Sequence, residues 1–397
     1  MGSDDDTGEV GADGPDDDAP DHAPRHPARA FAAAPRGSAT ADGAAPDADT
    51  PGADTPAASL AAVRARGAHA AARAGADGEP APAARLGVSA CLLGARVRFD
   101  GGHKQDRYLI HTLGRWVEWV SVCPEFEMGL GAPRETLRLE GDATAPRLVA
   151  PRSGLDRTDG MRAWAAARLD ELERLDLHGF VLKKNSPSCG AFRVKVYARA
   201  GVAPERAGRG IFATDLIERF RLLPVEEEGR LGDARLRENF VERIFAYRRW
   251  TELLRDDPTP RGLVRFHTRH KFALLAHSPK LYGELGRLVA RAGATPWSEL
   301  SASYGALFME CLGKIAGAGR HANVLNHLAG HLKEHLDGAD RRELAGLIDS
   351  YRAGLVPLVV PLTLLQHHFR RAPVSEWARS QTYLDPYPAE LMLRNHV

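Results

Sequence analysis

A chain of 397 residues is long enough for two domains, and its 44% hydrophobic content supplies ample core material. A net charge of +1 gives no global reason for nucleic acid or a membrane surface to be an obligatory partner. No apolar run approaches the roughly 18–20 residues of a membrane helix, and four cysteines in so long a chain are not a disulfide framework, so a reducing compartment is expected.

Residues 1–84 are mostly Ala, Asp, Gly, Pro and Thr, and the first 60 carry 13 acidic side chains against 3 basic ones. Such a segment buries too little apolar surface to offset the entropy of ordering, so a disordered tail is expected, with at most a fleeting helix over 60–75. Its acidic start, Asp4-Asp5-Asp6, does not read as a signal peptide, and the expected location is the cytoplasm. A strand pattern begins at Leu86-Gly-Val-Ser-Ala-Cys-Leu-Leu-Gly94, and a second runs from Arg115 to Val122 into Cys123-Pro124. Helical spacing follows over 158–176, with Thr158 as N-cap. Leu177–Leu182 reads as a third strand, Lys183–Gly190 as a polar loop, Arg193–Tyr197 as a fourth strand and Ile211–Phe220 as a helix. Alternation of this kind predicts an α/β domain over 85–235, a mostly parallel sheet with flanking helices. Beyond about 235 only helical periodicity remains, in segments starting at Leu236, Leu263, Leu281, Ser301, His321, Asp340 and Val360. An all-α domain is therefore expected over 255–397, with Arg255–Arg261 as a hinge.

Cys91, Cys123 and Cys189 each sit in a loop or at a strand end beside Gly or Pro. In an open α/β sheet, ligands bind beyond the carboxyl ends of the strands, so three such cysteines can converge despite their separation in sequence. Thiolates are soft ligands for iron–sulfur clusters, zinc or copper(I). A four-iron cluster on three cysteines leaves one iron without a protein ligand, whereas zinc would call for a fourth residue, with His103 the nearest candidate, or for water. The alternative is three buried structural cysteines. Against it, Lys183, Lys184, Asn185, Ser186 and Ser188 make poor core material but suit a negatively charged ligand.

Ser-Ala-Cys-Leu-Leu-Gly94, Arg98-Phe-Asp-Gly101, Val-Cys-Pro-Glu125 with Gly-Leu-Gly-Ala-Pro-Arg134, and Asn-Ser-Pro-Ser-Cys-Gly190 together resemble the bacterial thiouracil desulfidase family across about residues 86–230. That resemblance implies a [4Fe-4S] cluster on Cys91, Cys123 and Cys189, with Glu125 and Ser186 as catalytic residues. Asp100, Arg134, Lys183 and Asn185, in the same motifs and loop, are the candidate substrate-binding residues. Glu125 could instead form a loop salt bridge to Arg134 or Lys183, and Ser186 could cap the following turn.

Ten of the sixteen histidines follow residue 255. On one long helix, His267, His270 and His277 would share a face, and His327 and His331 would do so at i,i+4. These second-module candidates suit a metal or, given Lys271, Arg320 and Lys333, an anion. Phe-His-Thr-Arg-His-Lys271, Asn-Val-Leu-Asn-His327, Tyr-Arg-Ala-Gly-Leu-Val-Pro-Leu358 and Tyr-Leu-Asp-Pro-Tyr-Pro388 resemble the YbgA family, a likeness that implies little chemistry. Cys311 reads as helix core. The expected function is a cluster-dependent enzyme that removes sulfur from a thiolated small molecule such as a thio-nucleobase. The alternatives are a cluster-bearing sensor or interaction protein without turnover, and a zinc-dependent hydrolase.

Overall fold

The structure, a computed structural model, describes residues 55–70, 84–198 and 202–396, the side chains of 65–70 excepted. Most of the expected tail, residues 1–54 and 71–83, lies outside the described residues. Within it, though, Pro56–Ala70 form a helix, α1, whose Leu60 and Val63 are buried in the first core. The bland Ala-rich sequence hides this, because only two positions supply the apolar contact.

The α/β part then runs β1 (Ala84–Ser89), α2 (Arg107–His111), β2 (Val117–Val122), β3 (Arg138–Glu140), β4 (Arg147–Val149), α3 (Thr158–Glu173), β5 (Gly179–Leu182), β6 (Val194–Tyr197), β7 (Glu205–Gly208), α4 (Ile211–Arg219) and β8 (Val225–Glu227). Four strands form a wholly parallel sheet in the order β2-β1-β5-β8. β1 and β5 are buried at nearly every position, as strands covered on both faces must be. One face packs α1 and α2 around Leu86, Val88, Val117 and Val181. The other carries α3 and α4 around Val122, Phe180 and Leu182. Met161, Ala165, Leu169 and Leu172 line the buried side of α3. Thr158 is its first residue rather than its cap: Thr158 Oγ1 accepts from the Leu148 amide at 2.8 Å and donates to Asp156 at 2.6 Å.

The expected fourth strand belongs elsewhere. β6 joins a small mixed sheet, β4-β3-β6-β7, built from strands of three or four residues. So short a strand carries too few residues for a period of two to register.

The helical part comprises α5 (Ala234–Asp256), α6 (Pro260–Arg269), α7 (Lys271–His277), α8 (Pro279–Ala290), α9 (Trp297–Gly313), α10 (Ala318–Gly330), α11 (Gly338–Arg352), α12 (Val359–Arg371) and the short α13 (Glu376–Arg379). Asp233 starts α5 by accepting from the Arg235 and Leu236 amides at 2.9 and 3.0 Å. Phe240, Val241, Ile244 and Phe245 of α5 pack into the α/β core, while Ala246, Trp250 and Leu253 pack into a helical one. Tyr387, Leu391 and Leu393 near the C-terminus return to the α/β core. Among the described residues no helix is long and apolar enough to cross a membrane.

At the centre of the parallel sheet, Gly87 pairs with Phe180, and a Cβ at Gly87 would lie 2.1 Å from that buried ring. Gly87→Ala is therefore expected to cost about 1–3 kcal/mol by overpacking. Urea unfolding checks this, and an unchanged midpoint would show that the Phe180 ring yields freely.

Candidate functional site

β1, β2 and β5 are neighbours pointing the same way, so their carboxyl ends share one edge. Cys91 lies in the 3₁₀ turn that follows β1, closed by Gly94 at φ +96°. Cys123 follows the last residue of β2, and Cys189 sits in the loop after β5. The chain leaves β1 toward β2 on one side and returns to β5 on the other, a reversal of strand order of the kind that opens a crevice. All three cysteines line one cavity of about 370 Å³.

The loop holding Cys189 is rigidly built. Asn185 adopts φ +60°, a left-handed conformation that Asn tolerates. Ser186 Oγ accepts from the Ser188 and Cys189 amides at 3.3 and 3.1 Å, the turn-capping role open to a serine. The first amides of α4 donate to this loop: Ile211 to Pro187 O at 3.1 Å and Ala213 to Ser188 O at 3.1 Å. Gly210 permits that approach, since a Cβ there would stand 2.4 Å from Ser188 O.

A buried polar chain connects the cysteine-bearing loops. Arg134 donates through Nε and Nη2 to Glu125 Oε2 at 3.1 and 2.5 Å, and through Nη1 to Val97 O and Gly131 O at 2.9 and 2.7 Å. Ser188 Oγ donates to Glu125 Oε1 at 2.6 Å, and Ser186 Oγ stands 3.0 Å from Ser188 Oγ. The side chains of Arg134 and Glu125 are 7% and 13% exposed, so this is a largely desolvated, charge-assisted pair. Glu125 thus pairs with Arg134, and Lys183 pairs with Glu228 at the end of β8.

Burial pushes the Cys91 thiol up to about 11, against the pull of Lys183 and Arg98, and that of Cys189 up to about 12. Cys123 is raised well above the usual range, by burial first and then by the charge of Cys189. The three thiols therefore feel one another within one pocket. A cationic iron–sulfur core is the kind of partner that makes thiolates stable there, with protons released on binding. Among the described residues no group of three or more His, Cys, Asp or Glu is set closely enough for a single bare ion. Three soft thiols around one cavity are a donor set whose chemistry suits an iron–sulfur cluster.

Of the expected substrate-binding residues, Arg134, Lys183 and Asn185 line the cavity, but the Arg134 and Lys183 head groups are occupied by the partners named above. Asp100 is not among the lining residues; its carboxylate accepts from the Gly102 amide at 3.0 Å and faces Arg98 at 3.5 Å. Ser188, which links Glu125 to the loop, stood inside a motif already visible in the sequence. Glu228 did not, because it follows a three-residue strand.

The histidines do not form one cluster. The expected helix from Leu263 to His277 breaks at His270, whose φ of −94° and ψ of 2° end α6. His270 Nδ1 bonds Phe266 O at 2.8 Å, and its ring packs 4.1 Å from Phe266. His267, also buried, bonds the Tyr304 hydroxyl at 3.1 Å, whereas His327 and His331 are exposed on and just after α10. Cys311 is fully buried in α9.

A family model described as 2-thiouracil desulfurase matches residues 86–228, and one described as a protein of unknown function, DUF1722, matches 271–388. The uncharacterized protein YbgA of Escherichia coli is 35% identical over 156 residues, 38% of this chain and 90% of its own length. The uncharacterized protein YbbK of Bacillus subtilis is 33% identical over 111 residues, 26% of this chain and 72% of its own. A solved structure titled [4Fe-4S]-dependent thiouracil desulfidase TudS is 32% identical and covers 38% of this chain and 93% of its own, with a TM-score of 0.32.

Arg134→Met strips the buried Glu125 of its counter-charge, with an expected loss of about 3–5 kcal/mol in urea unfolding; a loss under about 1 kcal/mol would mean that the pair is solvated. Burial holds His267 down at about 4 and His270 at about 3, so both are neutral in the folded chain. Below about pH 6.5 the unfolded chain takes up protons there and the folded chain does not, until pH reaches the folded values. Stability should accordingly fall on acidification from pH 6.5 toward 4, by up to about 1.4 kcal/mol per pH unit for each ring. His270→Gln should flatten that slope in pH-resolved urea titrations, and an unchanged slope would contradict the assignment.

Proposed function

We propose a sulfur-removing function, because this chain belongs over residues 86–228 to the 2-thiouracil desulfurase family and, in its helical part, to the family of the Escherichia coli protein YbgA. The observation that carries the proposal is the meeting of Cys91, Cys123 and Cys189 around one cavity that also holds a largely buried carboxylate, Glu125. The substrate is a thiolated heterocycle such as 2-thiouracil, and water replaces its C=S sulfur with oxygen and releases hydrogen sulfide. Cys91, Cys123 and Cys189 would hold a [4Fe-4S] cluster. Bound there, it supplies a soft iron free of protein thiolate as the sulfur acceptor.

The chain's own groups handle position and protons. Glu125 is the base, and a proton from the attacking water reaches it through the Ser186 and Ser188 hydroxyls, which stand in line with Oε1. Arg134 is a positioning residue: with Nε and Nη2 on Oε2, it leaves Oε1 turned toward Ser188. Lys183 is fixed by Glu228 at the cavity wall, and its charge favours an anionic cluster. Burial of Cys91 and Cys189 limits water at the cluster site.

Anaerobic reconstitution of the full chain should give a brown protein with about four irons. Cys91→Ala, Cys123→Ala and Cys189→Ala should each lose the colour. Glu125→Gln should keep the iron and lose turnover of 2-thiouracil to uracil by about 10²–10⁴-fold. Retained iron with no turnover in wild type would leave a sensor rather than an enzyme. A colourless chain holding one zinc would overturn the proposal.

A further inference from the structure

The helical part contains a second cavity, of about 280 Å³, at the small end of ligand pockets, which run to roughly 300–1,000 Å³. Its floor is made by Glu242 of α5, His277 of α7 and His321 of α10, and its mouth carries Arg235 of α5 and Arg352 of α11. Glu242 Oε2 bonds His277 Nε2 at 3.2 Å, and His277 Nδ1 bonds Lys314 O at 2.6 Å. Glu238, one turn earlier on α5, is saturated by the Tyr387 hydroxyl at 2.9 Å, by Arg394 at 3.3 Å and by His396 at 2.7 Å.

Three lining side chains keep hydrogen-bonding capacity without a partner among the described residues. They are Glu242 through Oε1, Tyr351 through its hydroxyl, and His321 through Nε2, its Nδ1 being bonded to the Tyr383 hydroxyl at 2.9 Å. All three residues are under 10% exposed and line the cavity, so a ligand there can meet their free hydrogen-bonding capacity. Burial holds His321 at about 3, so its ring is neutral. Charge on the floor is balanced, Glu242 by His277 and Glu238 by Arg394. Arg235 and Arg352 place two exposed guanidiniums at the mouth, with Asp349 3.7 Å from Arg352 and Asp233 close enough to Arg235 to feel its charge.

We infer that this cavity binds a small organic anion: its phosphate or carboxylate end lies between Arg235 and Arg352, and its head donates N–H or O–H hydrogen bonds to Glu242. Aliphatic walls from Ile315, Ala316 and Leu358 cover the body of the ligand. The site shares no lining residue with the cysteine cavity and does not depend on any reaction there.

Calorimetric titration of the full chain tests this with four probes. Uridine 5′-monophosphate and orotate combine an anionic end with an N–H-bearing head, one as phosphate and the other as carboxylate. Uridine lacks the anion, and inorganic phosphate lacks the head. One or both of the first pair should bind with one site per chain, at least tenfold tighter than the second pair, and the stronger of the two identifies the anion. Arg235→Ser/Arg352→Ser should weaken that binding at least tenfold with the unfolding midpoint unchanged, because both positions are exposed. Glu242→Gln should weaken it as well. Absence of binding by both anions at about 1 mM overturns the proposal. So does binding that survives Arg235→Ser/Arg352→Ser and disappears in Glu125→Gln, which would place the ligand in the cysteine cavity.

Discussion

A single buried guanidinium ties together the loops on which the cysteine cavity depends. Arg134 holds the loop after β1 through Val97 O, its own turn through Gly131 O, and the loop after β2 through Glu125. Glu125 in turn takes the hydroxyl of Ser188 from the loop after β5. Each of these loops carries one cysteine or follows directly from one. The ends of parallel strands bring the three thiols to one edge; the Arg134–Glu125–Ser188 chain keeps them facing the same cavity. A desolvated pair is a poor source of net stability, but removing one partner strands the other charge. That asymmetry makes the arrangement all or none.

The parts of this fold that could be read from the sequence are those whose signal is local. β5 is a continuous apolar run because both faces of the sheet are covered, β1 carries the apolar stretch Leu86-Gly-Val88, and Cys91, Cys123 and Cys189 each stand near Gly or Pro at a strand end. The site residues Glu125 and Ser186 came through resemblance to a family rather than through spacing. What escaped was set by tertiary contact. β3, β4 and β8 are three residues long and exist because a neighbour supplies their hydrogen bonds. α1 rests on Leu60 and Val63 in a stretch whose composition otherwise resembles a tail. The periodicity over 263–277 gave no warning that His270 would end α6 by turning its ring onto Phe266. Ser188 was legible only as a polar residue of that loop, since the folded loop alone decides which hydroxyl reaches Glu125.

The helical part illustrates the same limit. Glu242 and His277 are 35 residues apart, and nothing in either local pattern announces their pairing inside the protein. α5 contributes to both halves: its first turns bury against the parallel sheet, and its last turns bury Trp250 among Phe266, Tyr304 and Phe308. The segment from Glu228 to Glu242 touches residues of both cavities, pairing Glu228 with Lys183 at one and Glu242 with His277 in the other.

Mössbauer spectroscopy of the full chain, reconstituted anaerobically with ⁵⁷Fe, tests the convergence of the three thiolates most directly. A four-iron spectrum in which one site alone changes on addition of 2-thiouracil is the expected result. A chain that retains no iron, or a cluster spectrum indifferent to 2-thiouracil, would contradict it.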